Sequence, residues 1–135
     1  MGGTILDTNL LIGRWKRSRR LPLADYLPSD AREWADGLIA LHKTNLIVSP
    51  VYLEFVGGAV DRREMSLTLA FLERFEVADQ WRIRPEDLAE ARRLAERIPP
   101  GPKPTPRGAA DCLIRALAIR LRCVVLTDDR GMPRG

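Results

Sequence analysis

The sequence predicts an α/β fold built on a doubly wound parallel sheet, and three observations support this prediction. Short apolar segments without polar alternation recur along the chain, as expected for strands covered on both faces. Two segments with helical signals follow each of the first three, which gives the order βααβααβααβ and favours right-handed crossovers. With 135 residues, the chain also has the length of one domain, predicted to cover residues 1–135.

The strands are short and the helix signals are clear. Strands are predicted at residues 4–7, 46–48, 75–79 and 123–127. A helix over residues 30–43 would begin at the N-cap Asp30 and bury one face, formed by Ala31, Trp34, Ala35, Leu38 and Leu41. A further helix is predicted over residues 107–121, directly before the last strand.

Other helix starts are predicted from capping chemistry. Ser49 would cap a helix with Pro50 at its first position. Asp61 and Glu64 form a capping box, with Asp in place of Ser or Thr, for a helix that ends near residue 74. Pro85 would start another helix, whose inward face is predicted to hold Leu88, Ala91, Leu94, Ala95 and Ile98.

Composition narrows the chemistry. The formal net charge is +4, which is compatible with a polyanionic partner. No apolar run is long enough for a membrane span and no signal peptide is evident, so a cytoplasmic protein is expected. Cys112 and Cys123 are predicted to be small core residues in a reducing compartment. One His and two separated Cys do not make a zinc site, so any metal would be oxygen-bound, with Mg²⁺ or Mn²⁺ as candidates.

Acidic residues follow the predicted strands. The first strand ends on Asp7, the second runs into a helix that carries Glu54, and the last ends on Asp128 and Asp129. Parallel strands place their carboxyl ends at one edge of the sheet, where such folds bind ligands. Carboxylates brought together there indicate a cation, and a cation held by carboxylates indicates phosphate chemistry.

Four segments together resemble a known family. They are Leu6-Asp7-Thr8-Asn9-Leu10-Leu11-Ile12, Ser49-Pro50-Val51-Tyr52-Leu53-Glu54, Ala110-Asp111-Cys112-Leu113-Ile114 and Leu126-Thr127-Asp128-Asp129. In this order they resemble the PIN-domain ribonucleases, especially the VapC-type toxins. The resemblance implies a three-layer α/β/α fold with a parallel sheet of four or five strands. It also implies a Mg²⁺- or Mn²⁺-dependent endoribonuclease for single-stranded RNA, a small antitoxin partner and a homodimer.

The resemblance also assigns roles by position. Asp7, Glu54, Asp111 and Asp129 would form the acidic catalytic set, with Asp7, Asp111 and Asp129 as metal ligands. Asp129 is preferred to Asp128 because the family pattern has Thr, one variable residue and Asp. Thr8, Asn9, Thr127 and Asp128 would support the ligands, and Glu54 would position or deprotonate the attacking water. RNA or partner contacts are expected from Arg14, Arg17 and Arg115.

Charge repulsion supports a cation at such a cluster. At about 4 Å and an effective dielectric constant of about 20, each like-charge pair costs on the order of 4 kcal/mol. A fold retains four such carboxylates only if a cation or raised pKa values relieve the repulsion. Divalent ions also hold phosphate oxygens and lower the pKa of bound water.

Several structural alternatives stay open. Asp7 could cap the turn after its strand, and Glu54 could be an ordinary exposed charge. Asp111 could pair with Arg107 and Arg115 in an exposed stripe. The basic tract of residues 14–20, which contains Trp15, could bind RNA and stack a base, contact an acidic partner or be a solvated helix end.

Two other functions are possible. The chain has six residues after Asp129, whereas the resembled proteins continue into a final strand, so a catalytically inactive PIN-like module that binds RNA or protein is the alternative. A phosphoacceptor or phosphatase of the α/β class is disfavoured. Asn9 occupies the place of the second Asp of haloacid-dehalogenase-like enzymes, and the only lysine after Lys43 is Lys103.

Overall fold

The computed structural model describes residues 2–97 and 108–127 of the protein. Within these ranges, four strands form one parallel sheet in the order β3-β2-β1-β4. The strands are β1 (Thr4–Leu6), β2 (Leu46–Ile47), β3 (Glu76–Val77) and β4 (Val124–Leu126). All four carboxyl ends therefore lie at the same edge of the sheet, as predicted.

Six helices in the described ranges flank the sheet. They are α1 (Thr8–Ser18), α2 (Pro28–His42), α3 (Ser49–Gly57), α4 (Arg62–Leu72), α5 (Pro85–Glu96) and α6 (Ala109–Leu121), and a 3₁₀ turn (Leu23–Asp25) separates α1 from α2. Two helices connect each strand to the next, so the predicted order βααβααβααβ is confirmed. Helix α2 packs against α4, and α5 packs against α6.

Two short connections return the chain from a helix to the sheet. Helices α2 and α6 end at Lys43 and Arg122, each with φ of 57° in the left-handed region. A residue in this conformation reverses the chain just after a helix and satisfies its last carbonyls. Strand β4 therefore begins only two residues after Arg122, which fixes its place beside β1.

An aromatic cluster forms part of the core and corrects one prediction. Trp15 is 7% exposed, and its ring makes edge contacts with Trp34, Phe55 and Phe71 at centroid distances of 5.3–5.6 Å. Of the alternatives that the sequence left open for the basic tract, base stacking by Trp15 is excluded, because its ring already packs against other aromatic rings. The basic character of residues 14–20 had hidden the fact that one face of α1 is apolar and buried.

The helix caps differ from the predictions in two places. Leu27 is the N-cap of α2, and Asp30 lies three residues inside, where its carboxylate accepts a hydrogen bond from the Leu27 N–H at 2.7 Å. Likewise Val48 is the N-cap of α3 and Ser49 is its first residue. The predicted cap at Asp61 is confirmed, since its carboxylate accepts from the Glu64 N–H. The Glu64 carboxylate accepts from the Val60 N–H, so the predicted box is only half formed.

The predicted buried faces of two helices need correction. In α2, Ala31, Ala35 and Leu38 are buried, whereas Leu41 is 66% exposed. In α5, Leu88 is 57% exposed and the fully buried side chain is Asp87. A charged residue can take the inward position because it has a cationic partner on α6, as described below. Ile98, which was predicted on the same inward face, lies outside the described residues.

The two cysteines are free thiols, with Cys112 buried and Cys123 half-buried. Among the described residues, no helix is long and apolar enough to cross a membrane.

Candidate functional site

Asp7 lies at the carboxyl end of β1 and starts α1. Its backbone N–H donates to the Leu126 carbonyl at 2.9 Å, which joins it to the end of β4. Its Oδ1 accepts a hydrogen bond from the Thr8 N–H at 2.7 Å, and Asp7 is the N-cap of α1. The structural alternative, a capping Asp, is therefore observed. Capping does not oppose a ligand role, because a carboxylate has two oxygens and the cap uses Oδ1.

Thr8 forms hydrogen bonds with two predicted catalytic acids, Asp7 and Glu54. The Thr8 hydroxyl donates to Oε1 of Glu54 at 2.6 Å, while the Thr8 backbone N–H donates to Asp7. Thr8 is buried with 7% exposure, and Glu54 is an exposed residue on α3. The fold thus brings Asp7 and Glu54, 47 positions apart in the sequence, to one residue at the sheet edge.

A second hydrogen bond leads to the end of the described chain. The Asn9 side-chain amide donates to Thr127 Oγ1 at 2.8 Å, across 118 positions of sequence. Thr127 directly follows β4, so this bond fixes the point from which the chain continues to Asp128 and Asp129. Both of these acids lie outside the described residues, and their roles stay predictions.

Asp111 lies in the first turn of α6 and forms an ion pair. Arg115 Nε lies 3.1 Å from Asp111 Oδ2, with side-chain exposures of 39% and 22%. The predicted alternative, an i,i+4 pair on a helix face, is therefore present. Within residues 2–97 and 108–127, no three His, Cys, Asp or Glu side chains are grouped so that they could hold a metal ion.

The donor chemistry is suited to a hard cation, although the described part of the chain does not supply a complete ligand set. Asp7 and Glu54 offer carboxylate oxygens at the edge of the sheet, which are ligands that Mg²⁺ and Mn²⁺ prefer. A metal site here would need further oxygens, and the resemblance assigns these to Asp111 and Asp129.

Two of the predicted RNA contacts, Arg14 and Arg17, lie in different surroundings on α1. Arg14 Nε donates to the Trp34 carbonyl at 3.0 Å, and the guanidinium lies so close to Gly37 that a Cβ there would come within 2.1 Å of it. Arg14 therefore helps to join α1 to α2. Arg17, by contrast, is exposed on α1, where a phosphate could reach it.

A cleft lies beside Glu54. It has a volume of about 220 Å³ and is bounded by residues of α1, α3 and α4 and of the loop that joins α3 to α4. Its walls combine apolar groups with charges of both signs; the charged lining residues are Lys16, Arg19, Glu54 and Glu64. Arg19 and Glu64 are paired at 3.2 Å. The cleft is therefore amphipathic and continuous with one of the predicted catalytic acids.

Two buried acids were not singled out from the sequence. Asp79, two residues after β3, is 3% exposed and accepts from both the Ser49 N–H at 2.8 Å and the Ser49 hydroxyl at 2.5 Å. Its place as the last residue of the predicted strand 75–79 was the available signal, just as Asp7 is the last residue of the predicted strand 4–7. The helix-starting Ser49 is thus held by a side chain from the neighbouring strand.

The other buried acid is Asp87 on α5. It is 2% exposed, and its Oδ1 accepts from Arg120 Nε of α6 at 2.8 Å. Burial alone would raise the pKa of Asp87, but the hydrogen bonds from Arg120 and from the Arg84 N–H, together with both positive charges, lower the pKa overall. This ion pair explains why α5 turns an acid toward α6 instead of Leu88.

A parallel sheet between helical layers, with acids at its carboxyl edge, defines an α/β protein of the kind that binds ligands at that edge. The comparison with known families agrees with this class: the PIN domain model matches residues 4–135, and the chain belongs to the PIN domain family. PIN domains are generally nucleases. Comparison with curated proteins and with solved structures found no match to this chain.

Proposed function

We propose that this PIN domain is a divalent-metal-dependent endoribonuclease that cleaves single-stranded RNA and that residues 1–135 act as one domain. The observation that carries the proposal is the pair of hydrogen bonds from Thr8 to Asp7 and Glu54. They place two carboxylates from different segments at the edge where an α/β sheet binds its ligand. The Asn9–Thr127 bond holds the residue that follows β4 at the same edge.

Mg²⁺ or Mn²⁺ would be held by Asp7, Asp111 and Asp129, with Thr8, Asn9, Thr127 and Asp128 as supporting groups. When bound, such an ion holds phosphate oxygens and makes water more acidic. Asp111 would then share its carboxylate between the ion and Arg115. The Arg115 side chain, tethered to Asp111 at 3.1 Å, would lie next to the phosphate and offset its charge.

Glu54 would act on the attacking water. Its Oε1 is fixed by the Thr8 hydroxyl, so the carboxylate is held in one orientation and can accept a proton from water. The water oxygen forms a new bond to phosphorus while the bond to the 3′ oxygen breaks. The 3′ oxygen takes up a proton, and the products carry a 5′-phosphate and a 3′-hydroxyl.

We further propose that the protein is a VapC-type toxin of a toxin–antitoxin pair and that it acts in the cytoplasm as a homodimer. The amphipathic cleft beside Glu54 supports a protein partner, because a side chain of a small antitoxin seated there would lie next to a catalytic acid. The free thiols of Cys112 and Cys123 are compatible with a reducing compartment.

The decisive experiment is cleavage of a single-stranded RNA by the purified protein with Mg²⁺ or Mn²⁺, followed by analysis of the new ends. We expect cleavage that EDTA abolishes and that Asp7→Asn reduces to background. Activity that survives both changes would refute the proposal. Asp36→Asn, an exposed acid in a surface ion pair, is the matched control and should cleave like the wild type.

Metal binding can be tested separately from cleavage. Without metal, Asp7→Asn should leave the melting temperature unchanged or raise it, because one repelling charge is removed. With Mn²⁺, the variant should gain less stability than the wild type, since ligand binding stabilises the native state by mass action. A large loss of stability in EDTA would instead show that the cap at α1 is the main role of Asp7.

A catalytically inactive PIN-like module that binds RNA or protein is the second candidate. The observation that favours it is that the described residues contain no group of three metal-ligating side chains, while Asp111 is paired with Arg115. Calorimetry separates the two candidates. The inactive module would bind RNA or its partner without binding Mn²⁺, whereas the nuclease would bind Mn²⁺ in a way that depends on Asp7.

A further inference from the structure

A strained turn follows β3 and presents an aromatic ring. Gln80 and Trp81 have φ of 54° and 61°, so two successive residues that are not glycine occupy the left-handed region. A bulky side chain is rare in this conformation, because its Cβ crowds the backbone. Glycine or asparagine would form the same turn with less strain. Such strain persists only where the surrounding structure imposes it, and it occurs preferentially at functional sites.

The surroundings of the turn do impose it. Asp79 is anchored by two hydrogen bonds from Ser49, and the Arg82 N–H donates to the Asp79 carbonyl at 2.9 Å. On the other side, Arg120 Nη2 donates to the Arg82 carbonyl at 3.0 Å. Residues on α3 and α6 therefore hold both ends of the turn, and Trp81 has a fixed backbone position.

The ring of Trp81 is supported but not covered. Tyr52 of α3 contacts it edge-on, with ring centroids 5.0 Å apart and an interplanar angle of 76°. Trp81 is nevertheless 52% exposed. Stacking on an unpaired nucleobase needs this combination of a rigid aromatic ring and an accessible surface.

The turn lies at the same edge of the sheet as Asp7. The register pairs Ile5 with Leu46, and Leu46 with Glu76, so Thr8, Ser49 and Asp79 follow their strands at the same level. Strands β1 and β3 are separated by β2 alone. At about 4.8 Å between neighbouring strands, the turn begins about 10 Å to the side of the Asp7–Glu54 pair.

The charge beside the ring suits nucleic acid. Arg82 and Arg84 follow Trp81 and are both exposed, and the acids nearest to them in the chain are the buried Asp79 and the exposed Glu86. A polyanion can thus place its phosphates near these guanidinium groups while a base lies against the ring.

We infer that Trp81, backed by Tyr52, is a base-stacking subsite that binds an unpaired nucleobase of the RNA next to the cleaved phosphodiester. The inference rests on the proposed function, which gives single-stranded RNA as the substrate. It adds the place where one base of that RNA binds. Trp81 positions the RNA and takes no part in the chemical step. Because every base has an aromatic face, the subsite binds single-stranded RNA with little sequence preference.

The test measures RNA binding apart from cleavage. The parent protein for this test is Asp7→Asn, which is expected not to cleave RNA. Its affinity for a fluorescently labelled single-stranded RNA is compared with the affinities of the same protein carrying Trp81→Ala, Trp81→Phe or Trp81→Gly. We expect Trp81→Ala and Trp81→Gly to weaken binding about 5- to 100-fold, as stacking energies imply. Trp81→Phe should restore most of the affinity. Val60→Ala, at a residue that is 83% exposed, is the control and should bind normally.

Two further measurements exclude a merely structural role. Trp81→Gly relieves the left-handed strain, so a lost affinity together with retained thermal stability assigns the effect to the ring. In addition, RNA with one abasic position is compared with intact RNA. Removal of the base that stacks on Trp81 should weaken RNA binding by the Asp7→Asn parent, which keeps Trp81. The same change in the RNA should not affect binding by the variant that carries Trp81→Ala.

The outcomes separate this inference from the nuclease proposal. If the wild type cleaves RNA while Trp81→Ala binds as tightly as the parent, the subsite is refuted and the nuclease stands. If Trp81-dependent binding occurs without cleavage, the subsite stands and the nuclease fails. Absence of RNA binding overturns both. A change in oligomeric state with unaltered RNA affinity would assign the ring to an interface between copies of the chain and overturn the subsite.

Discussion

The segments that follow β1 and β3 both contain acids, and the two sets of acids have opposite surroundings. Near β1, Asp7 is partly exposed, Glu54 is exposed, and both accept hydrogen bonds from Thr8, a neutral residue. Near β3, Asp79 and Asp87 are at most 3% exposed; Ser49 donates to the first and Arg120 to the second. The difference teaches that an acid after a strand is a candidate ligand only when solvent can still reach it.

The physical reason is the cost of burying charge. A carboxylate removed from water must find hydrogen-bond donors or a counter-charge, and the β3 region supplies them. Among the described residues, no buried side-chain polar atom lacks a hydrogen-bond partner. The β3 region is thus a rigid scaffold, whereas the β1 region keeps acids that a cation or substrate can approach. Substitutions in the two regions should therefore affect different measurements.

The largest expected effect is on catalysis. Glu54→Gln should lower the turnover number about 10²- to 10⁴-fold, equivalent to about 3–5 kcal/mol in the activation barrier. The free energy of unfolding should hardly change, because Glu54 is exposed and glutamine keeps an oxygen that can accept from Thr8. Glu33→Gln, an exposed acid on α2, is the control. Unchanged turnover in Glu54→Gln would show that Glu54 has no role in the mechanism. The acids near β1 would then not differ in function from the acids near β3.

The next effect concerns the scaffold. Asp79→Ala should lower the free energy of unfolding by about 2–4 kcal/mol, because the buried N–H and hydroxyl of Ser49 lose their acceptor. Urea denaturation measures this change. Asp36→Ala, which removes one partner of the exposed Asp36–Arg74 pair, is the control and should cost about 1 kcal/mol or less. Equal effects of the two substitutions would contradict the scaffold role of Asp79.

A smaller effect should depend on pH. Because its partners lower the pKa of Asp87 in the folded state, ionised Asp87 contributes stability above the pKa of the unfolded chain, about 3.9. That contribution is lost as pH falls through the lower folded pKa. Asp87→Asn should therefore cost about 2 kcal/mol at neutral pH. The gap in urea midpoint between wild type and variant should narrow below about pH 4, and a gap that does not vary with pH would be inconsistent with this account.

The smallest effect should come from the residue that joins the two acids. Thr8→Val removes the hydroxyl that holds Glu54 and should cost about 1 kcal/mol, seen either in unfolding or in turnover. Thr8→Ser keeps the hydroxyl and should retain more activity than Thr8→Val. If valine and serine behave alike, the hydrogen bond to Glu54 has no functional role.

Local sequence signals were enough to predict the element order and the parallel sheet. The apolar segments that become β1 and β4, the Asp61 cap and the Pro85 helix start depend on residues that are neighbours in the chain. These signals predicted most of the buried face of α2 but not the buried face of α5. Leu88 and Asp87 are adjacent on α5, and only Arg120, 33 positions away from Asp87, decides that the acid points inward.

Predictions about the candidate site were limited in the same way, because local signals do not reveal contacts between distant residues. Position relative to the strands indicated Asp7 and Glu54, and the family resemblance added Thr8, Asn9 and Thr127. Hydrogen bonds join Thr8 to Asp7 and Glu54, and Asn9 to Thr127. The catalytic roles of these residues stay predictions. The sequence could not reveal that Trp15 is part of the core or that Arg14 joins two helices, because both depend on how α1 packs against α2. The left-handed turn at Trp81 also had no local signal, since it contains no glycine.

The Asp7–Leu126 and Asn9–Thr127 bonds join the beginning of the first helix to the end of the last strand. During translation, residues 7 and 9 leave the ribosome long before residues 126 and 127 do. The sheet edge therefore cannot be completed before β4 has left the ribosome, and truncated products that lack β4 cannot form it. Any activity at this edge can therefore begin only after β4 has been synthesised and has paired with β1.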